Sequence, residues 1–176
     1  VSESEYGSTY LINCYDANNA NGKGTAKVEI KGGRFYGFDP ENNHAENPQI
    51  NFCAEGYLSD DNGDGSYTVR KGEYVAQVND AKYETLQAAI DAAVTGDEVV
   101  VLKDLAFDYE DAIATADNKN ALVYVTGKEI TLNMNGKKIS VDHQSTTDRI
   151  FAVVCVESDA SLTVTGNGAI DVDTDV

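Results

Sequence analysis

Tryptophan is missing from this chain of 176 residues, and histidine, cysteine and cationic side chains are scarce. The two histidines, His44 and His143, lie far apart, and with Cys14, Cys53 and Cys155 they do not give the roughly four ligands at close spacing that zinc requires. Three cysteines, an odd number, also exclude a complete disulfide framework. Lys and Arg total 13 against 30 Asp and Glu, for a net charge of -17. Such a surface repels nucleic acid and anionic membrane, so neither is expected as a partner. No apolar run approaches the ~20 residues of a spanning helix, and the longest strand-like run is Val99-Val100-Val101-Leu102. No leader segment is visible and the first residue is Val1 rather than Met, which reads as a processed precursor or a segment cut from something longer.

What is present is a repeated strand pattern. Val28-Glu29-Ile30-Lys31-Gly32 with Phe35, Leu132-Asn133-Met134-Asn135-Gly136 with Ile139, and Leu162-Thr163-Val164-Thr165-Gly166 with Ile170 share one form: alternating apolar and polar residues, a Gly, then an apolar residue. Period-two alternation predicts a half-buried strand, and the Gly a tight turn before the next one. Upstream, Leu11-Ile12-Asn13-Cys14-Tyr15 matches Ala152-Val153-Val154-Cys155-Val156, which puts Cys14 and Cys155 at equivalent places. Gly136 and Gly166 lie 30 positions apart, within the range of solenoid repeats. The expected fold is therefore mainly β, with right-handed parallel β-helix (solenoid) segments and one short amphipathic capping helix.

The apolar fraction of 41% allows a real core, and the length suggests one or two domains. The loop Asp60-Asp61-Asn62-Gly63-Asp64-Gly65 separates two strands, the second being Ser66-Tyr67-Thr68-Val69. A strand Tyr74 to Val78, a helix Thr85 through Val94 and a strand Glu98 to Leu102 follow. The helix would carry Leu86, Ala89, Ile90, Ala93 and Val94 on one stripe, with Thr85 as N-cap and Gly96 as the stop. Residues 1–72 then read as the last rungs and closing segment of one β-helix, and 73–176 as the cap and first rungs of a second.

Lys31-Gly32-Gly33-Arg34-Phe35-Tyr36-Gly37-Phe38-Asp39-Pro40, with Asn51-Phe52-Cys53-Ala54-Glu55-Gly56-Tyr57, resembles the closing segment of pectin-lyase-like β-helix proteins of gut bacteria and their phages. Tyr83-Glu84-Thr85-Leu86-Gln87-Ala88-Ala89-Ile90 with Gly96-Asp97-Glu98-Val99 is similar to the opening of many such surface proteins. The resemblance implies a tail, spike or surface role and brings no catalytic residues with it.

Four groups of residues could carry chemistry. Asp171, Asp173 and Asp175 would share one face of an extended strand, where carboxylates bind calcium or do acid/base work, with Arg149 on a neighbouring rung as the basic partner. The alternative is a solvated acidic strand. Asp60, Asn62 and Asp64 before Gly65 match the first half of a calcium loop, but Lys71 stands where the bidentate Glu belongs, and a plain hairpin turn is the other reading. The tyrosines Tyr6, Tyr10, Tyr15, Tyr36 and Tyr57 could stack on sugar rings if exposed together, or pack half-buried. Cys14 and Cys155, with Leu11 and Val154, mark the rungs at which assembly is expected, the two thiols being buried small hydrophobes or a bridge between neighbouring rungs.

The expected role is a structural or interaction module outside the cell or on a virion: an adhesin, fibre or spike segment that assembles end to end. The alternatives are a polysaccharide lyase or hydrolase and a non-catalytic carbohydrate-binding module. No cofactor is expected, with calcium at Asp60, Asn62 and Asp64 as the one candidate ion. The expected partners are further copies or neighbouring repeats of the same protein, with a surface glycan as a further candidate.

Overall fold

A computed structural model describes residues 11–12, 27–43, 51–108, 111–114, 120–142 and 152–173. The chain divides into two compact units, Val1–Glu73 and Tyr74–Val176.

The first unit is built on three strands, β1 (Gly33–Tyr36), β2 (Tyr57–Asp61) and β3 (Ser66–Lys71), in the order β1-β3-β2 and antiparallel throughout. β2 and β3 form a hairpin whose turn uses Gly63 and Gly65 at positive φ (73° and 79°), a conformation that glycine enters without a Cβ clash. One sheet face covers a small core of Ile30, Phe38, Phe52 and Val69, in which Phe38 lies 6.0 Å from Phe35 and 6.3 Å from Phe52 between ring centroids. Ile30 bridges Cys53 in parallel, donating its N–H to Phe52 O (2.8 Å) while its carbonyl accepts from Ala54 N (3.0 Å).

In the second unit β4 (Ala76–Val78) and β5 (Ala81–Tyr83) make a hairpin around Asn79, whose φ is 51°. Helix α1 (Leu86–Ala92) follows, with Thr85 Oγ1 accepting from Ala88 N at 3.1 Å as the N-cap. Then come β6 (Glu98–Val101), β7 (Leu105–Phe107), β8 (Ile113–Ala114), β9 (Asn120–Val125), β10 (Glu129–Asn133), β11 (Lys138–Asp142), β12 (Ala152–Val156), β13 (Ser161–Thr165) and β14 (Ala169–Asp173). They form sheets ordered β13-β10-β6-β4-β5, β14-β11-β7 and β12-β9-β8. The core holds Leu86, Ala89 and Ile90 of α1 with Val99, Val101, Val123, Val125, Leu132 and Ile139, all under a few per cent exposed.

The expected right-handed parallel β-helix segments are corrected by this arrangement. Among the described residues the protein is mainly β with one short helix, but its strands fall into several small separate sheets and no solenoid is formed. The sheet of the first unit is wholly antiparallel, and β4 with β6 and β8 with β9 add antiparallel pairs in the second. Parallel pairing extends over at most three strands in any sheet. The physical reason lies in the connections, since turns as short as those at Gly63 and Asn79 can return a strand only antiparallel to its predecessor.

Two local expectations also shift. The helix ends at Ala92 with Ala93 already extended (ψ 145°), so Ala93 stays buried but Val94 leaves the apolar stripe and is 65% exposed. The 30-residue alignment slips: β10 and β13 pair at an offset of 32 (Leu132 opposite Val164), and β11 and β14 at 31 (Ile139 opposite Ile170).

Candidate interaction surface

In a parallel ladder, residues opposite one another point to the same face, so neighbours in register should be equally buried if both strands are covered. Three ladders of the second unit fail this test in the same direction. Leu132 of β10 is 0% exposed, whereas Val164 opposite it on β13 is 51% exposed. Ile139 and Val141 of β11 are 0% and 1% exposed, against 42% and 39% for Ile170 and Val172 on β14. Val125 of β9 is 0% exposed, and Val156 of β12 40%. β12, β13 and β14 each end their sheet, and among the described residues nothing pairs with their outer edges. Each leaves apolar side chains, inward-facing by pattern, exposed at its edge, where among the described residues no strand covers them.

On their opposite sides two of these sheets continue with antiparallel strands. β6 is covered by antiparallel β4, which is itself paired with β5. The edge of β9 receives β8 at Asn120 and Ala121, and at Tyr124 it receives the Gln87 side chain of α1. Gln87 Nε2 donates to Tyr124 O and Gln87 Oε1 accepts from Tyr124 N, both at 2.9 Å, so one amide side chain imitates a strand partner. Lys128 secures the same helix, its Nζ donating to the carbonyls of Ile90 (2.9 Å), Asp91 (3.0 Å) and Ala93 (2.8 Å) at the helix C-terminus.

The sequence-predicted site residues are dispersed. Asp171 is exposed on β14, in an ion pair with Lys138 Nζ at 2.8 Å. Asp173 lies on the same strand, opposite Asp142. Asp175 and Arg149 lie outside the described residues, as do Cys14, Tyr6, Tyr10 and Tyr15. Asp60, Asn62 and Asp64 do sit together on the β2–β3 hairpin, but each has a protein partner. Asp60 Oδ1 accepts from Arg70 Nη2 at 2.9 Å, and Asn62 Nδ2 donates to Ser66 Oγ and Thr68 Oγ1, both at 3.0 Å. Asp64 accepts from Arg34 and from Ser66. The Ser66 hydroxyl is the main reason the Asp64 carboxyl is held below its ordinary value, with Arg34 assisting. Among the described residues no three His, Cys, Asp or Glu side chains gather as a metal site would need.

Cys155 is a free thiol, half-buried on β12 opposite Tyr124, and Val154 beside it faces Val123. Cys53 is also free, and burial first, then the carboxylates of Glu41 and Asp39, raise its thiol to about 11. Leu11 is 53% exposed. Tyr36 is exposed with the Arg34 guanidinium 5.2 Å from its ring centroid, while Tyr57 is half-buried against the core of the first unit. Of the exposed edge residues Val156, Val164, Ile170 and Val172, sequence reasoning placed Val156, Val164 and Ile170 in its strand pattern but marked only Val154 and Cys155 on these strands for assembly. Alternation shows that they point inward but not how far each is covered.

No family model, curated protein or solved structure matches the chain.

Proposed function

We propose that this protein is a structural or interaction module, displayed outside the cell or on a virion, that acts by receiving further β-structure on the open edges of β12, β13 and β14. The observation that supports this is the paired contrast in burial, with the same inward positions sealed on β9, β10 and β11 and exposed on the last layer. Strand addition suits such a surface because main-chain hydrogen bonds supply the attachment and alternate side chains the fit. The net charge of -17 supports a displayed, soluble role by limiting nonspecific clumping.

Two measurements test the reading: light scattering over a concentration series for the native chain and V164K, and amide exchange along β12–β14. Association that the lysine abolishes, or outer amides of β13 and β14 that exchange far faster than those of β10 and β11, agrees with an uncovered edge. A monomer in which the β13 and β14 amides are as protected as those of β10 and β11 would sink the reading, because the layer would already be covered.

A further inference from the structure

Asparagine is chemically least secure when glycine follows it, because a residue with no Cβ leaves its own N–H unhindered beside the asparagine side chain. The chain holds four such pairs: Asn21-Gly22, Asn62-Gly63, Asn135-Gly136 and Asn167-Gly168. The first lies outside the described residues. At the other three the chemistry makes the same two demands, a side-chain amide free to turn toward the next residue and a glycine N–H free to attack it.

Hydrogen bonds withhold both at Asn62. Its Nδ2 donates to Ser66 Oγ and Thr68 Oγ1, both at 3.0 Å, and Gly63 N donates to Asp61 Oδ1 at 2.8 Å. Asn135 is held by its amide, with Nδ2 donating to Val101 O at 3.1 Å, and by its main chain, with N donating to Asn133 Oδ1 at 2.9 Å and φ at 49°. Asn167 differs from both. It is exposed in the turn between β13 and β14, and among the described residues neither its side chain nor Gly168 N makes a hydrogen bond. Gly168 is packed where a Cβ would stand, against Lys137 O and Met134 Cβ, while its N–H stays unengaged.

We infer that Asn167 is a site of spontaneous modification, the one of these three at which the fold leaves succinimide formation open. Gly168 N attacks Asn167 Cγ, the Cγ–Nδ2 bond breaks, and the Gly168 amide proton leaves with Nδ2 as ammonia. Water, the only co-reactant, then opens the imide ring. Addition at Cγ gives aspartate on the original main chain, and addition at the main-chain carbonyl carbon of Asn167 gives isoaspartate, in which the chain runs through Cβ and Cγ and is longer by one carbon. Either product places a new carboxylate in the turn. Isoaspartate also lengthens a connection whose two glycines have no room for added atoms. Pairing of β14 with β11 begins directly after it, at Ala169 opposite Lys138, so isoaspartate loosens β14 first.

The test ages the full-length chain at mildly alkaline pH and follows the three Asn-Gly peptides by digestion and mass spectrometry, with electron-based fragmentation to separate isoaspartate from aspartate. A parallel sample is aged in guanidinium chloride, where no fold protects any of them. In the folded chain Asn167 should convert at least tenfold faster than Asn62 and Asn135, whereas in denaturant the three should convert at similar rates. Asn167→Gln closes the corresponding ring far more slowly, so its peptide should stay unmodified and its β14 amides should keep their exchange rates while those of the aged native chain rise. Conversion of Asn62 or Asn135 as fast as Asn167 in the folded chain would overturn the inference. So would an Asn167 that reacts in denaturant but stays intact in the fold, since the packed turn would then hold Gly168 N out of reach. An identical ranking with and without denaturant would overturn it too, by assigning the difference to neighbouring residues rather than to the hydrogen bonds of the fold.

Discussion

The Lys128 ammonium sits where the last carbonyls of α1 would otherwise lack partners, and three donors meet three acceptors there. Charge-assisted hydrogen bonds of this kind contribute about 1.5–3 kcal/mol, so Lys128→Met should lower unfolding stability by roughly that amount, measured as a fall in the denaturant midpoint at constant slope. An unchanged midpoint would show that water replaces the ammonium without loss. Acid should act on a different residue. The Asp64 carboxyl is held below its usual value by Ser66 and then Arg34, so it contributes stability that is complete above the unfolded pKa of about 3.9 and is lost as pH falls through the lower folded value. Ser66→Ala should raise the Asp64 pKa toward the ordinary range in an NMR titration, and an unmoved titration would assign the shift elsewhere. The Cys53 thiol moves the other way. At about 11 its thiolate fraction at pH 8 is roughly two-hundredfold below that of an ordinary cysteine, and alkylation followed by peptide mass should find it slow and still accelerating above pH 9.

At the scale of elements, the turn between β13 and β14 holds two glycines whose surroundings leave no room for a side chain. A Cβ added at Gly168 would stand 2.5 Å from Lys137 O and from Met134 Cβ, and one at Gly166 would stand 2.5 Å from Asn133 Oδ1 and 2.8 Å from Asn135 N. Gly63, by contrast, has nothing within 4 Å, and its constraint is only the positive φ. Gly168→Ala should therefore cost well over the ~1 kcal/mol expected for Gly63→Ala and should selectively increase amide exchange in β14. Equal losses in the two variants would mean that the turn relaxes freely. The strands on either side of this turn were legible in the sequence because Leu162-Thr163-Val164 and Ile170-Asp171-Val172 alternate cleanly. Their register was not. Four residues, Met134 to Lys137, separate β10 from β11, but three, Gly166 to Gly168, separate β13 from β14; Gly136 stands third in its turn and Gly166 first, so alignment on the glycines slips by two residues before the turn and by one after it. Strand direction was less visible still. Val28 to Gly32 has the same pattern as the parallel strands, yet the β1 that follows it pairs antiparallel with β3, a choice made by partners far along the chain rather than by local alternation. The candidate site suffered in the same way: periodicity marks Val164 as inward-facing, and its exposure shows only in the fold, where among the described residues β13 has no outer neighbour.

For the whole molecule, the -17 charge and the exposed apolar side chains of β13 and β14 act in opposite directions over different distances. Repulsion between two copies sums over entire surfaces and reaches about 30 Å at 0.01 M salt, whereas apolar contact acts within a few ångströms. Raising ionic strength to about 0.1 M shortens the screening length to about 10 Å, and to about 3 Å near 1 M, which removes most of the repulsion while sparing apolar burial. Self-association measured by sedimentation should therefore rise steadily with salt, and V164K should remain the weaker associator at every ionic strength because the lysine interrupts the apolar edge. Association of the native chain that falls as salt rises would mean that charge pairs rather than apolar burial hold the copies together.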